Sequence, residues 1–333
     1  MMGKPLDFRE REVLRIIVEH YTDTGQGSNS FFVAEHLPFE VSPSTVRNIM
    51  ASLQAKGYLK AGGKRGKFPT DRALREHIER LLKVKPWKES TGEIKIEAQG
   101  TLEDFLKEAA RNLSVFSESL SLLVSPSIFH IPFSQIRLLR TGEKTVLILL
   151  NTPSGLLLTQ GIRTYRDYTQ EELDGVARML NRDYRLKTLQ EVAVNLKLRM
   201  DNEVRMLREI LENFKILLER IDVLVEGESL LLGKLEGNLE KIKEILRIFE
   251  EKKRVLEFLD NLNLGNEIQV VWGESLPIPY GEGCVLLLYP YSHKGVAAIF
   301  GPKHMKYSKA LAALDLTGQA LKKLLSSEVS HGG

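Results

Sequence analysis

The stretch from Ser42 to Lys56 constrains the fold more than any other part of the chain. Ser42 stands directly before Pro43, and Gly57 closes the far end. A serine hydroxyl caps the unpaired N–H groups of a first helical turn, where proline's missing N–H costs nothing. The spacing therefore predicts a helix from Pro43 to about Lys56. At 100° per residue, Val46, Ile49, Met50 and Leu53 fall on one side and require a core. The other side carries Ser44, Asn48, Ala51, Ser52 and Ala55, flanked by Thr45 and Arg47. A merely solvated face would be richer in Glu and Lys. Small side chains allow close approach to another surface, and Arg and Asn can pair bidentately with guanine and adenine edges.

Two helices precede this one. Asp7 and Glu10 have capping-box spacing, and Val13, Leu14, Ile17, Val18 and Tyr21 recur at helical intervals, so a helix is expected from Asp7 to about Thr24. Ser28 is the expected cap of a second helix reaching about Leu37, stopped by Pro38. After Gly57, YLKAGGKRGKFPT reads as two short extended stretches around a glycine-rich basic tip. Three helices and a basic hairpin form the winged variant of the helix-turn-helix, with the third helix in a major groove. The same fold also serves protein contacts, so the pattern alone leaves a pure interaction module open.

Charge is unevenly distributed. The whole chain of 333 residues carries only +3, but Pro43 to Arg75 contains Arg47, Lys56, Lys60, Lys64, Arg65, Lys67, Arg72 and Arg75 against Asp71 alone, a net +7. This is the footprint of a polyanion-binding face. Ser44, Thr45, Arg47 and Asn48 are the expected base-contacting residues. Lys56, Lys60, Lys64, Arg65, Lys67 and Arg72 are expected on phosphates.

These residues also carry a resemblance. SPSTVRNIMASLQAKGYL with FPTDRALREHIERLL resembles the N-terminal signature of the bacterial heat-inducible transcription repressors, the HrcA family. LSVFSESLSLLVSP, QIRLLRTGEKTVLILLNTPSGLLLTQGI, VVWGE and GVAAIFGPKHMKYSKAL follow in that family's order, so the likeness spans nearly the whole chain. One departure is GKRGKFPT, where the family usually has SAGR before its PT pair. The resemblance implies a dimeric repressor of chaperone genes on an inverted-repeat operator of the CIRCE type, released on heat stress. It also implies the GroE chaperonin as a partner that keeps the repressor competent.

Beyond residue 85, KPWKESTGE reads as a break between domains, placed at residues 85–95. Thr101 with Asp104 caps a helix. Strand-like runs follow at 135–140, 144–151 and 155–163. Thr169 with Glu172 and Thr188 with Glu191 are further capping boxes, the second opening a long helix to about Ile221. A hairpin-like VLVEGESLLLGKLEG and a charged helix from Asn238 to about Leu262 come next. Strands are expected again at 267–272, 283–289 and 294–300, before a last helix from Ser308. The order indicates an α+β multidomain chain: a winged helix-turn-helix over 1–88, an α+β domain split between 89–195 and 265–333, and a mostly helical unit inserted over 196–264. The resemblance makes the split domain GAF-like and the insert a dimerisation domain. The residues themselves leave two uses open for the insert's apolar stripe, pairing with a second copy as a homodimer or packing on its own chain.

Other function classes fare poorly. No P-loop, G-x-G-x-x-G after a strand, H-E-x-x-H or G-x-S-x-G occurs, so no enzyme and no cofactor are expected. Seven scattered histidines show no metal spacing, and Cys284, the single cysteine, opens an apolar strand. The longest apolar runs fall far short of the roughly 20 residues that cross a bilayer. With no secretion signal in MMGKPLDFRER, a cytoplasmic protein without membrane contact is expected. An alternative to the chaperonin-linked repressor is a winged-helix regulator whose GAF-like domain senses a small molecule.

Overall fold

The computed structural model describes residues 5–84, 101–196, 222–234, 239–276, 278 and 281–326. Its N-terminal head begins with α1, Phe8–Thr24, where the Asp7 carboxylate accepts the Glu10 N–H at 2.8 Å and Glu10 returns the bond to the Asp7 N–H at 3.1 Å. The capping box read from the sequence is thus reciprocal. Helix α2 is Ser30–His36 and α3 is Pro43–Ala55. Strands β1, Leu59–Ala61, and β2, Lys67–Pro69, form an antiparallel hairpin, and α4 runs from Asp71 to Lys83. Val13, Leu14 and Ile17 of α1, Val33 of α2, Val46, Met50 and Leu53 of α3, and Leu74 and Ile78 of α4 bury their side chains in the head's core. The cap of α2 is Asn29, not the expected Ser28. Ser28 instead exchanges two backbone hydrogen bonds with Lys67, both at 2.9 Å, and so lies against the hairpin as a third extended piece.

The expected break at 85–95 lies outside the described residues. From Thr101 onward the chain builds a mixed α+β body. Helix α5, Leu102–Ser117, opens on the Thr101–Asp104 capping box, and β3, Leu120–Val124, follows at once. Strands β4, Gln135–Gly142, β5, Thr145–Asn151, and β6, Leu157–Arg163, form an antiparallel meander close to the expected ranges. Helix α6 is Gln170–Asp183, and Ile136 holds it through two hydrogen bonds with the Asn181 amide, each 2.8 Å. Helix α7 is Leu189–Leu196; its expected continuation to Ile221 lies outside the described residues.

A second sheet collects strands from distant parts of the chain. In spatial order it is β7, Val223–Glu226; β3; β10, Val296–Pro302; β9, Cys284–Pro290; and β8, Gln269–Trp272, all antiparallel. Both faces of its central strands are buried. Leu123, Val285, Leu287, Ala297 and Ile299 point to the layer that includes α5 and α11, Tyr307–Leu325. Leu122, Val124, Leu286, Leu288, Val296 and Ala298 point the other way, toward Ile245, Ile248, Phe249, Val255 and Leu259. Side chains alternate along a strand, so covering both faces demands continuous apolar runs such as CVLLLY.

The elements over 223–262 differ from the sequence reading. Val223–Glu226 is not half of a local hairpin; it pairs with β3 at the sheet edge, and a helix, α8, Glu228–Lys234, comes after it. The charged helix splits into α9, Leu239–Glu250, and α10, Lys252–Asn261. Glu251 at the junction has a non-helical ψ of 78° and takes ion pairs from Arg247 and Arg254 at 3.7 and 2.6 Å. The bend keeps the apolar side chains of both helices on the curved sheet, which a straight helix could not cover.

Helix α11 approaches β9 closely because residue 318 is glycine: a Cβ there would overlap the Tyr289 ring. Gly318→Ala would gain about 1 kcal/mol in helix propensity, but overpacking of a filled site costs about 1–3 kcal/mol. The variant is expected to unfold at lower denaturant than wild type, followed by circular dichroism; a higher midpoint would contradict this seating of α11.

Candidate nucleic-acid interface

The two faces of α3 divide as the periodicity requires. Val46, Met50 and Leu53 are buried, whereas Ser44, Arg47, Asn48, Ala51 and Ala55 are exposed and Thr45 and Ser52 half-exposed. Among the described residues, only Ser52, at the edge of this polar side, is engaged by the rest of the head, through its bond to Glu10. At its start the Ser42 hydroxyl accepts the Thr45 N–H at 3.2 Å and shares hydrogen bonds with the hydroxyls of Ser44, at 2.8 Å, and Thr45, at 2.9 Å. Three hydroxyls are thus held together at a helix N-terminus, where unpaired backbone donors favour negative charge.

The six basic residues expected on phosphates fall into two groups. Lys60 and Arg65 are exposed on the hairpin, and Lys64 lies in its tip, in the turn Gly63–Arg65. The other three are tied to the head. Lys56 is bound by Glu10, its Nζ lying 2.5 and 2.7 Å from the two carboxylate oxygens. Arg72 stacks on the Tyr58 ring at 4.2 Å and donates to the Tyr58 hydroxyl and to the Lys56 carbonyl, both at 3.0 Å. It thereby satisfies a carbonyl at the C-terminal end of α3 that the helix leaves unpaired. Lys67 donates to the Gln54 side-chain oxygen and so fastens the hairpin to α3.

Glu10 is the anchor that sequence reasoning saw only as half of a capping box. Its carboxylate is buried and accepts from Lys56, from the Ser52 hydroxyl at 2.8 Å and from the Asp7 N–H. The Lys56 bond, with those from Ser52 and Asp7, outweighs burial and holds this carboxyl below the usual range. The sequence signal for this role was a glutamate on the core side of α1, where a neutral residue would be ordinary. The hairpin has its own constraint at Gly66, with φ 86°, where a Cβ would lie 2.5 Å from the Ser28 carbonyl oxygen.

Together these contacts present one open helical face of hydroxyl, amide, guanidinium and methyl groups beside a basic hairpin, on a rigid support. Such a face can hydrogen-bond base edges while the hairpin neutralises phosphates. Among the described residues there is no group of three or more His, Cys, Asp or Glu side chains placed to hold a metal ion. None of the described helices is long and apolar enough to cross a membrane.

Residues 103–311 match the family model for the HrcA protein C terminal domain. A heat-inducible transcription repressor HrcA of Thermodesulfovibrio yellowstonii is 25% identical, covering 98% of this chain and 100% of its own. One of Laribacter hongkongensis is 26% identical, covering 98% and 97% respectively. A crystal structure described as a hypothetical protein has the same overall fold, with a TM-score of 0.63 at 24% identity, covering 97% of this chain and 99% of that one.

The lowered Glu10 pKa fixes a pH dependence. A depressed folded-state value contributes stability that is fully present above the unfolded value and is lost as pH falls through the folded one. Glu10→Gln is therefore expected to lower the melting temperature at neutral pH and to flatten the loss between neutral and acidic pH. Melts that shift equally at all pH values would contradict the ionic anchor. Gly66→Ala, which forces the hairpin off Ser28, is expected to weaken binding to any duplex while leaving the melt of the body intact, read by gel shift and circular dichroism.

Proposed function

The chain belongs to the HrcA family, and on that premise we propose that it represses heat-shock genes by occupying an inverted-repeat, CIRCE-type operator as a homodimer. As a member of that family it is a heat-inducible transcription repressor. The observation that carries the DNA-binding reading is the open polar face of α3, with its Ser42 hydroxyl cluster, next to the exposed Lys60 and Arg65. In this reading the head is a winged helix-turn-helix. Ser44, Thr45, Arg47 and Asn48 read base edges; Lys60, Lys64 and Arg65 meet phosphates, and Lys67 adds its charge there while tying the hairpin to α3. Lys56 and Arg72 act at one remove, by holding α3 and Tyr58 in place.

The body from Thr101 is read as a GAF-like domain, and the stretch 196–264, which also supplies β7 and the covering helices α8 to α10 to the body's sheet, as the dimerising unit. A two-fold pair would set two α3 helices on one side of the duplex, about 34 Å apart or a multiple of that, which demands a palindromic site. Binding that requires the dimer makes occupancy depend on the folded fraction, so moderate heat empties the operator. A GroE chaperonin that returns the repressor to its folded state would make repression report on free chaperonin.

Titration of an inverted-repeat duplex against a scrambled control tests the reading. Arg47→Ala is expected to cost about 1–3 kcal/mol on the specific duplex and to relax base preference. Arg65→Ala should weaken both duplexes alike and lower the salt slope by about one. If the two variants behave identically on both duplexes, the division into base-reading and phosphate-holding residues is wrong.

A further inference from the structure

Beside the apolar packing of α4 on α11 that joins the head to the body, a small ionic brace is centred on Lys303. This residue sits just after β10 and is 9% exposed. Its backbone is fixed at both ends: its N–H donates to the Gly283 carbonyl at 2.9 Å, and its carbonyl accepts the buried Tyr307 hydroxyl at 2.8 Å. Its ammonium reaches out of the body to two carboxylates, Glu274 after β8 at 2.7 Å and Asp71 of α4 at 2.9 Å. Glu274 in turn takes Arg75 of α4 at 3.5 Å, and that guanidinium lies over the Trp272 ring at 4.4 Å. Four charges of alternating sign, Asp71, Lys303, Glu274 and Arg75, thus join the first two turns of α4 to two loops of the body. Beside them, Tyr21 of α1 meets His304 edge-on at 6.0 Å.

The arrangement is directional. A purely apolar contact could slide, but a largely buried lysine held between two carboxylates restricts how the two parts can shift. Helix α4 is also the support of α3, through Arg72 in its first turn, which holds Tyr58 and the Lys56 carbonyl at the end of α3. Whatever fixes α4 on the body fixes the direction in which the open face of α3 points. The brace leaves that face uncovered, so docking of the head and engagement of a duplex are compatible.

We propose that Lys303 is a positioning residue for operator recognition: by clamping Asp71 and Glu274 it sets the angle of the head on the body, and so the separation of the two α3 helices in the dimer. The proposal rests on the DNA-binding reading above. With the brace intact, engagement of one half-site presents the second head at high effective concentration to the other half-site. With the brace cut, the head swings and that gain falls, while the contacts of a single head are untouched.

The test uses the full-length chain with Lys303→Met, and Lys303→Arg as the variant that keeps the charge. Spin labels at Glu79→Cys on α4 and Lys322→Cys on α11, both exposed positions, report the head-to-body distance in labelled chains diluted with unlabelled ones. The distribution is expected to be narrow in wild type and Lys303→Arg and broad in Lys303→Met. On an inverted-repeat duplex Lys303→Met should bind about tenfold more weakly, with affinity for a single half-site unchanged. An unbroadened distribution in Lys303→Met, or equal losses on both duplexes, would overturn the proposal. If wild type bound neither duplex, the DNA-binding reading would fail, and the distance measurement would still decide whether Lys303 fixes the head.

Discussion

The body of this protein depends on burying both faces of one five-stranded sheet. Strands β3, β9 and β10 have no polar side to offer water, so each needs a helical layer above and below it. Helices α5 and α11 cover one face and α8 to α10 the other. A residue that contributes about 1.5–3 kcal/mol when fully buried contributes nothing if its layer is missing, so neither layer can be removed without cost to the other. This sheet also carries Trp272 at the end of β8, and the loops after β8 and β10 bring Glu274 and Lys303 to the head.

The head uses its charge economically. Three of six cations that the sequence places on one basic surface serve internal purposes: Lys56 neutralises a buried carboxylate, Arg72 closes the end of a helix and Lys67 ties the hairpin to α3. A net charge counted along the chain therefore overstates what a duplex meets directly. The field on the open side comes from Lys60, Arg65 and Arg47, which are exposed there.

Much of this was legible from the sequence because the signals were local. Capping boxes at Asp7–Glu10, Thr101–Asp104 and Thr169–Glu172, and the Ser42–Pro43 start of α3, depend on neighbours three residues apart and appear where the spacing places them. The open face of α3 followed from the same helical arithmetic. What escaped depended on distant partners. Strand β3 has only five residues, and both its faces are apolar, so alternation could not reveal it; Val223–Glu226 looked local because its partner lies a hundred residues earlier. Ser28 has the chemistry of a helix cap but sits opposite Lys67, and Asn29 takes the cap. The pairing of Lys56 with Glu10 joins two helices 46 residues apart, which no spacing rule predicts.

Strand β3 is made early in synthesis, yet its neighbour β10 is the last of the described strands to leave the ribosome. Until Val296–Phe300 arrives, Leu120–Val124 has an unpaired edge. Pairings this far apart in sequence close slowly and leave aggregation-prone surface in the meantime. The topology thus leaves an apolar strand edge open through most of synthesis.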